Sequence, residues 1–168
     1  MANQEQELIQ IFQVLTVVHE QMNEKALLKQ EAVKKGNIPE LEQVMKEEAA
    51  LIQKLRKLEN TRLHAVGLWM KEKGFVEETA TMETLLKYFP ERLRPELEEW
   101  SQRLVAEITK LKHQNELNQQ LIEESLRFVN MSLDSMNPQQ EFGNYKRPQD
   151  KGDNDFESTG RSLFDSKA

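Results

Sequence analysis

Hydrophobic residues recur at intervals of three and four along most of the chain, which is the spacing of one face of an α-helix. A first stripe predicts a helix over about residues 4–35, and a second stripe predicts a helix over about residues 38–73. The first stripe consists of Leu8, Ile11, Phe12, Leu15, Val18 and Met22. The second includes Leu41, Val44, Leu51, Leu55, Leu58, Val66 and Trp69.

Helix-ending and helix-starting residues meet at the junction of these two helices. Gly36 is the kind of residue that ends a helix, and Asn37 is a good N-cap for the next one. Pro39 is tolerated in a first turn, and Glu40 completes a spacing like that of a capping box. The junction therefore predicts a helical hairpin. Further along, Gly67 costs about 1 kcal/mol relative to Ala inside a helix, which predicts a close helix crossing there.

The second half of the chain predicts one short and one long helix. Thr79 or Thr81 can cap a short helix over about residues 80–89. Two prolines after it predict a turn, because each disfavours helical angles in the preceding residue. A long stripe then predicts a final helix over about residues 95–136.

A change in composition follows this last helix. Residues 137–168 carry half of the glycines, and Leu163 is their one aliphatic residue larger than Ala. Such a segment buries too little apolar area to offset its ordering entropy, which predicts a disordered polar tail. Its small apolar cluster at Leu163 and Phe164 either stays disordered or folds back onto an apolar strip. The predicted fold is all-α: an elongated antiparallel helical bundle or coiled coil of three long helices and one short helix, forming one domain over residues 1–136.

Composition and charge exclude several classes of protein. The 168 residues are 31% charged, carry a formal net charge of −6 and include no cysteine. Disulfides, thiol nucleophiles and cysteine-ligated zinc are therefore excluded. No apolar run approaches the roughly 20 residues of a spanning helix, and no secretory signal precedes the first helix. A cytoplasmic protein is expected, and the acidic balance argues against a nucleic-acid partner.

Catalytic chemistry has little basis in the sequence. A helical di-metal site needs Glu-x-x-His, but none of the three histidines, His19, His64 and His113, has Glu three residues before it. Phosphate-cradling and dinucleotide-binding glycine motifs are missing as well. A phosphotransfer role is conceivable for His64, although a surface histidine is the simpler interpretation. We expect no enzyme, no catalytic residue, no metal and no cofactor.

The stripe of the last helix is interrupted by asparagine. It meets Asn115 and Asn118 where a continuous coiled-coil core favours Leu or Ile, and apolar positions resume afterwards. Because few charges follow, this end exposes apolar surface unless something covers it. Either the asparagines set the register of a bundle or dimer, or the stripe is a docking surface for an amphipathic partner helix. The second interpretation predicts these partner-binding residues: Asn115, Leu117, Asn118, Leu121, Ile122, Leu126, Val129 and Leu133.

The order of these features resembles the FlgN-type flagellar export chaperones. The resemblance covers roughly residues 5–136 and ends before the polar tail. It is carried by the Leu-rich first helix, the junction from Glu31 to Leu41, the segment from Lys54 to Arg62, and the run from Leu111 to Ile122 that contains Asn-x-x-Asn.

This resemblance implies a cytoplasmic chaperone that holds hook-associated proteins of the FlgK and FlgL type before type III flagellar secretion. It implies that a C-terminal helical segment of the cargo binds to the C-terminal helical part of this chain, and that the chaperone contacts the export apparatus without an enzymatic step. We expect a monomer or weak homodimer without membrane insertion. Two alternatives stay open: a structural coiled-coil protein that self-associates, and a type III chaperone for a different cargo.

Overall fold

The computed structural model describes residues 3–75 and 80–136, and all four elements in this part of the chain are helices. They are α1 (Gln4–Lys35), α2 (Ile38–Lys73), α3 (Met82–Tyr88) and α4 (Arg94–Met136). The all-α prediction is confirmed, with the short helix a little shorter than expected at both ends. The fold divides into two units, Met1–Glu123 and Glu124–Ala168. The predicted tail and Thr79 lie outside the described residues.

Helices α1 and α2 form the predicted hairpin. Gly36 has the left-handed φ of 64° that a glycine adopts readily after a helix. The Asn37 side chain accepts a hydrogen bond from the Glu40 backbone N–H at 3.2 Å, and its amide donates to the Glu40 carboxylate at 3.0 Å. Asn37 is thus the N-cap of α2. The helices run antiparallel, with Lys25 of α1 paired to Glu47 of α2 at 2.7 Å.

The hydrophobic core lies at the end of the hairpin away from this turn. Trp69 is fully buried there, and its ring centroid lies 5.7 Å from that of Phe89, which follows α3. The short helix and its flanking turn therefore close the end of the bundle. All four helices, or the residues next to them, contribute to one core cluster: Leu8, Ile9, Ile11, Phe12, Leu15, Val66, Trp69, Met70, Leu85, Phe89, Leu93, Leu97 and Leu104.

A buried carboxylate fastens the beginning of α1 to the end of α2. Glu5 accepts a hydrogen bond from the Trp69 indole Nε1 at 3.0 Å and lies 3.4 Å from the Lys73 ammonium. Burial acts to raise the pKa of Glu5, but the hydrogen bonds and the positive charge of Lys73 outweigh it, so the pKa is lowered overall. The contact spans 64 positions of sequence.

Helix α4 runs beside α1 in the same direction. The Asn23 amide of α1 donates to the Glu107 carboxylate of α4 at 2.7 Å, and seven residues later Gln114 donates to Gln30 at 2.7 Å. Because the residue numbers increase together, the two helices are parallel, as the first and third helices of an up-down-up bundle are.

Polar side chains replace apolar ones along this part of the α1–α4 contact. We call Asn23, Gln30, Gln114 and Asn118 the polar seam. Each member of the seam hydrogen bonds to the opposite helix, and Ala26, whose carbonyl accepts from Asn118, is fully buried. Toward the core, in contrast, Leu97 and Leu104 of α4 are buried among apolar side chains.

The prediction for Gly67 was wrong. Gly67 is exposed, and a Cβ atom built on it would meet nothing within 4 Å. No helix crosses at this position, so the glycine has no packing role in the described part of the chain.

Candidate partner-binding surface

The first five predicted partner-binding residues lie in the unit that ends at Glu123, and they have different surroundings. Asn115 and Leu117 are exposed, whereas Leu121 and Ile122 are half-buried. Asn115 lies on the wall of a shallow groove between α1 and α4, together with His19 and Ile108. Asn118 alone is buried, with only 2% of its surface exposed.

Asn118 is part of the polar seam. Its amide donates to the Ala26 carbonyl of α1 at 2.8 Å, and its carbonyl accepts from Gln114 at 3.0 Å. The two asparagines of the Asn-x-x-Asn pattern therefore have different environments, one joined to α1 and one facing solvent. Helix α4 continues through both of them without a break. The buried side chain matches the register-setting interpretation of these asparagines.

The remaining three predicted residues lie in Glu124–Met136, the described part of the second unit. Leu126 and Leu133 are each 59% exposed, and Val129 is exposed to a similar degree. Three further large apolar side chains are exposed in the same segment: Phe128, Met131 and Met136, with Phe128 at 72%. The predicted set omitted these three, although their hydrophobic character was visible in the sequence and Met136 continues the stripe of Leu126, Val129 and Leu133.

These six residues form a surface that is wider than one stripe. At about 100° per residue, Leu126, Val129, Leu133 and Met136 fall on one side of the helix within about 80°. Phe128 and Met131 lie on another side, and Ser125 and Ser132 fall between the two groups. We call these six residues the apolar arc. An amphipathic surface helix commonly has an apolar stripe of about 100°. The side that carries Leu126 and Leu133 therefore has the width of an ordinary apolar stripe, and Phe128 and Met131 are additional exposed hydrophobic residues on another side of the helix.

Charge is sparse around the apolar arc. Arg127, Asn130 and Asp134 share a narrow polar stripe of about 60°, again counted at about 100° per residue. Glu124, at the start of the segment, is the one charged residue of Glu124–Met136 outside that stripe. Isolated exposed hydrophobic residues are ordinary, but six large ones within three to four turns of helix are typical of a surface that binds another protein.

The described residues offer little for metal or acid–base chemistry. Within residues 3–75 and 80–136, no three His, Asp or Glu side chains are grouped so that they could hold a metal ion. Buried His19 is hydrogen bonded through Nδ1 to the Leu15 carbonyl of its own helix at 2.8 Å, and His64 is exposed on α2. In the same ranges, none of the helices combines the length and the hydrophobicity needed to cross a membrane.

An all-helical fold with exposed hydrophobic residues at the end of its last helix is typical of proteins that bind helices of other proteins. Comparison with known families gives the same class. The chain belongs to the FlgN protein family, whose sequence profile matches residues 1–151. This is a family of flagellar export chaperones, which bind hook-associated proteins in general.

The chain is also similar to a protein of Bacillus subtilis (strain 168), the uncharacterized protein YvyG. The two are 29% identical over 167 residues, which cover 96% of this chain and 97% of the relative. No solved structure matches the chain significantly.

Proposed function

We propose that this protein binds the C-terminal helical segment of hook-associated proteins of the FlgK and FlgL type in the cytoplasm and delivers them to the flagellar type III secretion apparatus. The observation that carries the proposal is the apolar arc on Glu124–Met136, where six large hydrophobic side chains are exposed. Family membership supports the class of partner.

The physical chemistry of the arc suits a chaperone that must both hold and release its cargo. Burial of apolar surface yields about 25 cal/mol per Å², and it needs no charged partner at a fixed position. Ordering a flexible cargo segment consumes a few kcal/mol of that free energy. We expect a dissociation constant between about 0.1 and 10 μM, which corresponds to roughly 7–10 kcal/mol.

Within the predicted partner-binding set, we propose that Leu126, Val129 and Leu133 contribute most of the binding free energy. Their side chains are exposed, so cargo can cover them without a rearrangement of the helix. Leu117 and Asn115, in the unit that ends at Glu123, are also accessible, and we propose that they contribute to binding as well. For Leu121, Ile122 and Asn118 we propose a smaller contribution, because each is at least half-buried in the free protein.

Substitution of two leucines in the arc tests this surface. Leu126→Asp with Leu133→Asp places two charges where cargo would bury apolar surface, and we expect at least a 30-fold loss of affinity, which corresponds to about 2 kcal/mol. Binding is measured by fluorescence anisotropy with a peptide covering the C-terminal helix of a FlgK-type protein. Circular dichroism checks that the helices persist.

Arg127→Gln with Asn130→Asp is the matched control. It changes the net charge by the same −2 but alters only the polar stripe, so we expect peptide binding within about 3-fold of wild type. Normal binding by the leucine variant would refute the proposed surface. Equal losses in both variants would mean that charge, rather than burial, governs binding.

Self-association is the second candidate function of this surface. The exposed hydrophobic side chains of the apolar arc would also suit contact with a second copy of the chain. A structural coiled-coil protein would bury the arc against a second copy of the chain. Light scattering across a range of concentrations separates the two functions. An obligate dimer that the leucine substitutions convert to a monomer, without any affinity for the peptide, would favour the structural function.

A further inference from the structure

The apolar arc raises the question of what covers it before a partner arrives. Six large hydrophobic side chains on three to four turns of helix are a liability for a protein that must wait in a free state, since bare patches of this kind promote association. The polar stripe of Arg127, Asn130 and Asp134 is too narrow to shield them.

The chain itself carries a short segment with suitable chemistry. Thirty-two residues follow Met136, and Leu163-Phe164 is the one pair of adjacent large apolar residues among them. Arg161 and Asp165 flank this pair, so the segment has one basic and one acidic side chain beside its apolar centre. The polar stripe likewise has one base and one acid, Arg127 and Asp134, bordering the arc.

The length of the intervening chain permits the contact. Leu163 follows Met136 by 27 positions. A flexible chain of that length spans about 30 Å on average. The arc from Leu126 to Met136 is only about 15 Å long at 1.5 Å per residue. Tethering at this distance gives an effective concentration on the order of millimolar, so even a weak contact is populated.

We infer that Leu163 and Phe164 occupy part of the apolar arc in the free protein and act as an internal competitor of the partner helix. The regulatory meaning of this contact rests on the proposed function, but the contact itself does not. A two-residue contact covers only a fraction of the arc. A partner helix can therefore begin to bind on the uncovered side and then displace the segment.

A spin label tests the contact without any partner. The chain has no cysteine, so Ser162→Cys provides a unique site for a nitroxide next to Leu163. In the full-length protein we expect paramagnetic broadening of the amide signals of Leu126–Met136. The broadening should disappear when Leu163→Asp and Phe164→Asp are added, and it should survive Phe156→Asp, a matched change earlier in the same segment. Absence of broadening, or broadening that persists in the double variant, would overturn the inference.

The competition is measured separately with the fluorescent peptide of a FlgK-type C-terminal helix. The full-length Leu163→Asp, Phe164→Asp variant should bind this peptide about 3- to 10-fold more tightly than wild type, since it no longer competes for the arc. Phe156→Asp should bind like wild type. Unchanged or weaker binding by the double variant would refute competition. A peptide that fails to bind any of the three proteins would contradict the proposed function, while the spin-label result still decides whether the contact exists.

Discussion

The Glu5 carboxylate accepts a hydrogen bond from the Trp69 indole N–H, joining the first turn of α1 to the last turns of α2. Both groups are buried, and Lys73 supplies a positive charge at 3.4 Å from the carboxylate. This contact fastens the open end of the hairpin, at the place where the apolar core lies.

Acidification should weaken this contact. Because the pKa of Glu5 is lowered in the folded protein from its ordinary value of 4.5, its contribution to stability is complete above that ordinary value and is lost as the pH falls from there through the lower pKa of the folded state. We expect Glu5→Gln to lower the free energy of unfolding by about 1–3 kcal/mol at pH 7. The difference in unfolding free energy between Glu5→Gln and wild type, measured by urea titration, should be smaller at pH 3.5 than at pH 7. Glu7→Gln is an exposed change in the same turn. Its difference from wild type in the free energy of unfolding should not become smaller at pH 3.5 in this way.

Two of the described glycines, Gly36 and Gly67, should respond to substitution by alanine in opposite directions. Gly67 lies within α2 beside open space, so Gly67→Ala should stabilise the protein by about 0.5–1 kcal/mol through helix propensity. Gly36 has a φ of 64°, so Gly36→Ala should destabilise it by roughly 1–2 kcal/mol. Thermal unfolding of both variants measures the contrast, and a stabilising Gly36→Ala would contradict the hairpin geometry.

Asn115 and Asn118 of α4 give a matched pair of substitutions that tests the polar seam. Asn118→Ala removes the hydrogen bond to the Ala26 carbonyl and should cost about 1–2 kcal/mol relative to Asn115→Ala. Both variants gain the same helix propensity, so the difference between their unfolding free energies isolates the buried contact. Equal stabilities would indicate that the seam contributes nothing to holding α4 against α1.

The N-cap of α2 should also be measurable. Asn37→Ala removes the side-chain acceptor of the Glu40 N–H and should cost about 1 kcal/mol. Asn60→Ala, an exposed change inside α2, should be neutral or slightly stabilising because alanine favours the helix. Urea unfolding of the two variants tests the prediction, and similar effects at both positions would argue against a capping role.

The helices and the turn of the hairpin could be predicted because their signals are local. The stripes, Gly36, Asn37 and Glu40 all act within a few residues of one another, and the structure places α1, α2 and α4 within a residue of the predicted bounds. The bounds of the short helix α3 were less predictable. Phe89, the residue after α3, packs against Trp69 of another helix, and a local sequence pattern does not reveal such a contact.

Contacts between distant residues could not be predicted in the same way. Glu5 looks like an ordinary acidic residue of a first turn, and its partner lies 64 positions away. Asn118 and Asn115 look equivalent in the sequence, and only the register against α1 decides which one is buried. Gly67 was misread because a glycine in a helix has no sequence signal that separates close packing from open space.

The change from an apolar core to a polar seam along the α1–α4 contact determines where the protein opens locally. The contact of α1 with the rest of the bundle is apolar near Leu8 and Leu15, whereas beyond Asn23 its contact with α4 includes side-chain hydrogen bonds that water can replace one at a time. In native-state hydrogen exchange, amides near the hairpin turn should therefore exchange faster than amides in the core, because α4 separates from α1 first along the polar seam. The partially open states of the protein would therefore retain the apolar core that keeps the chain folded.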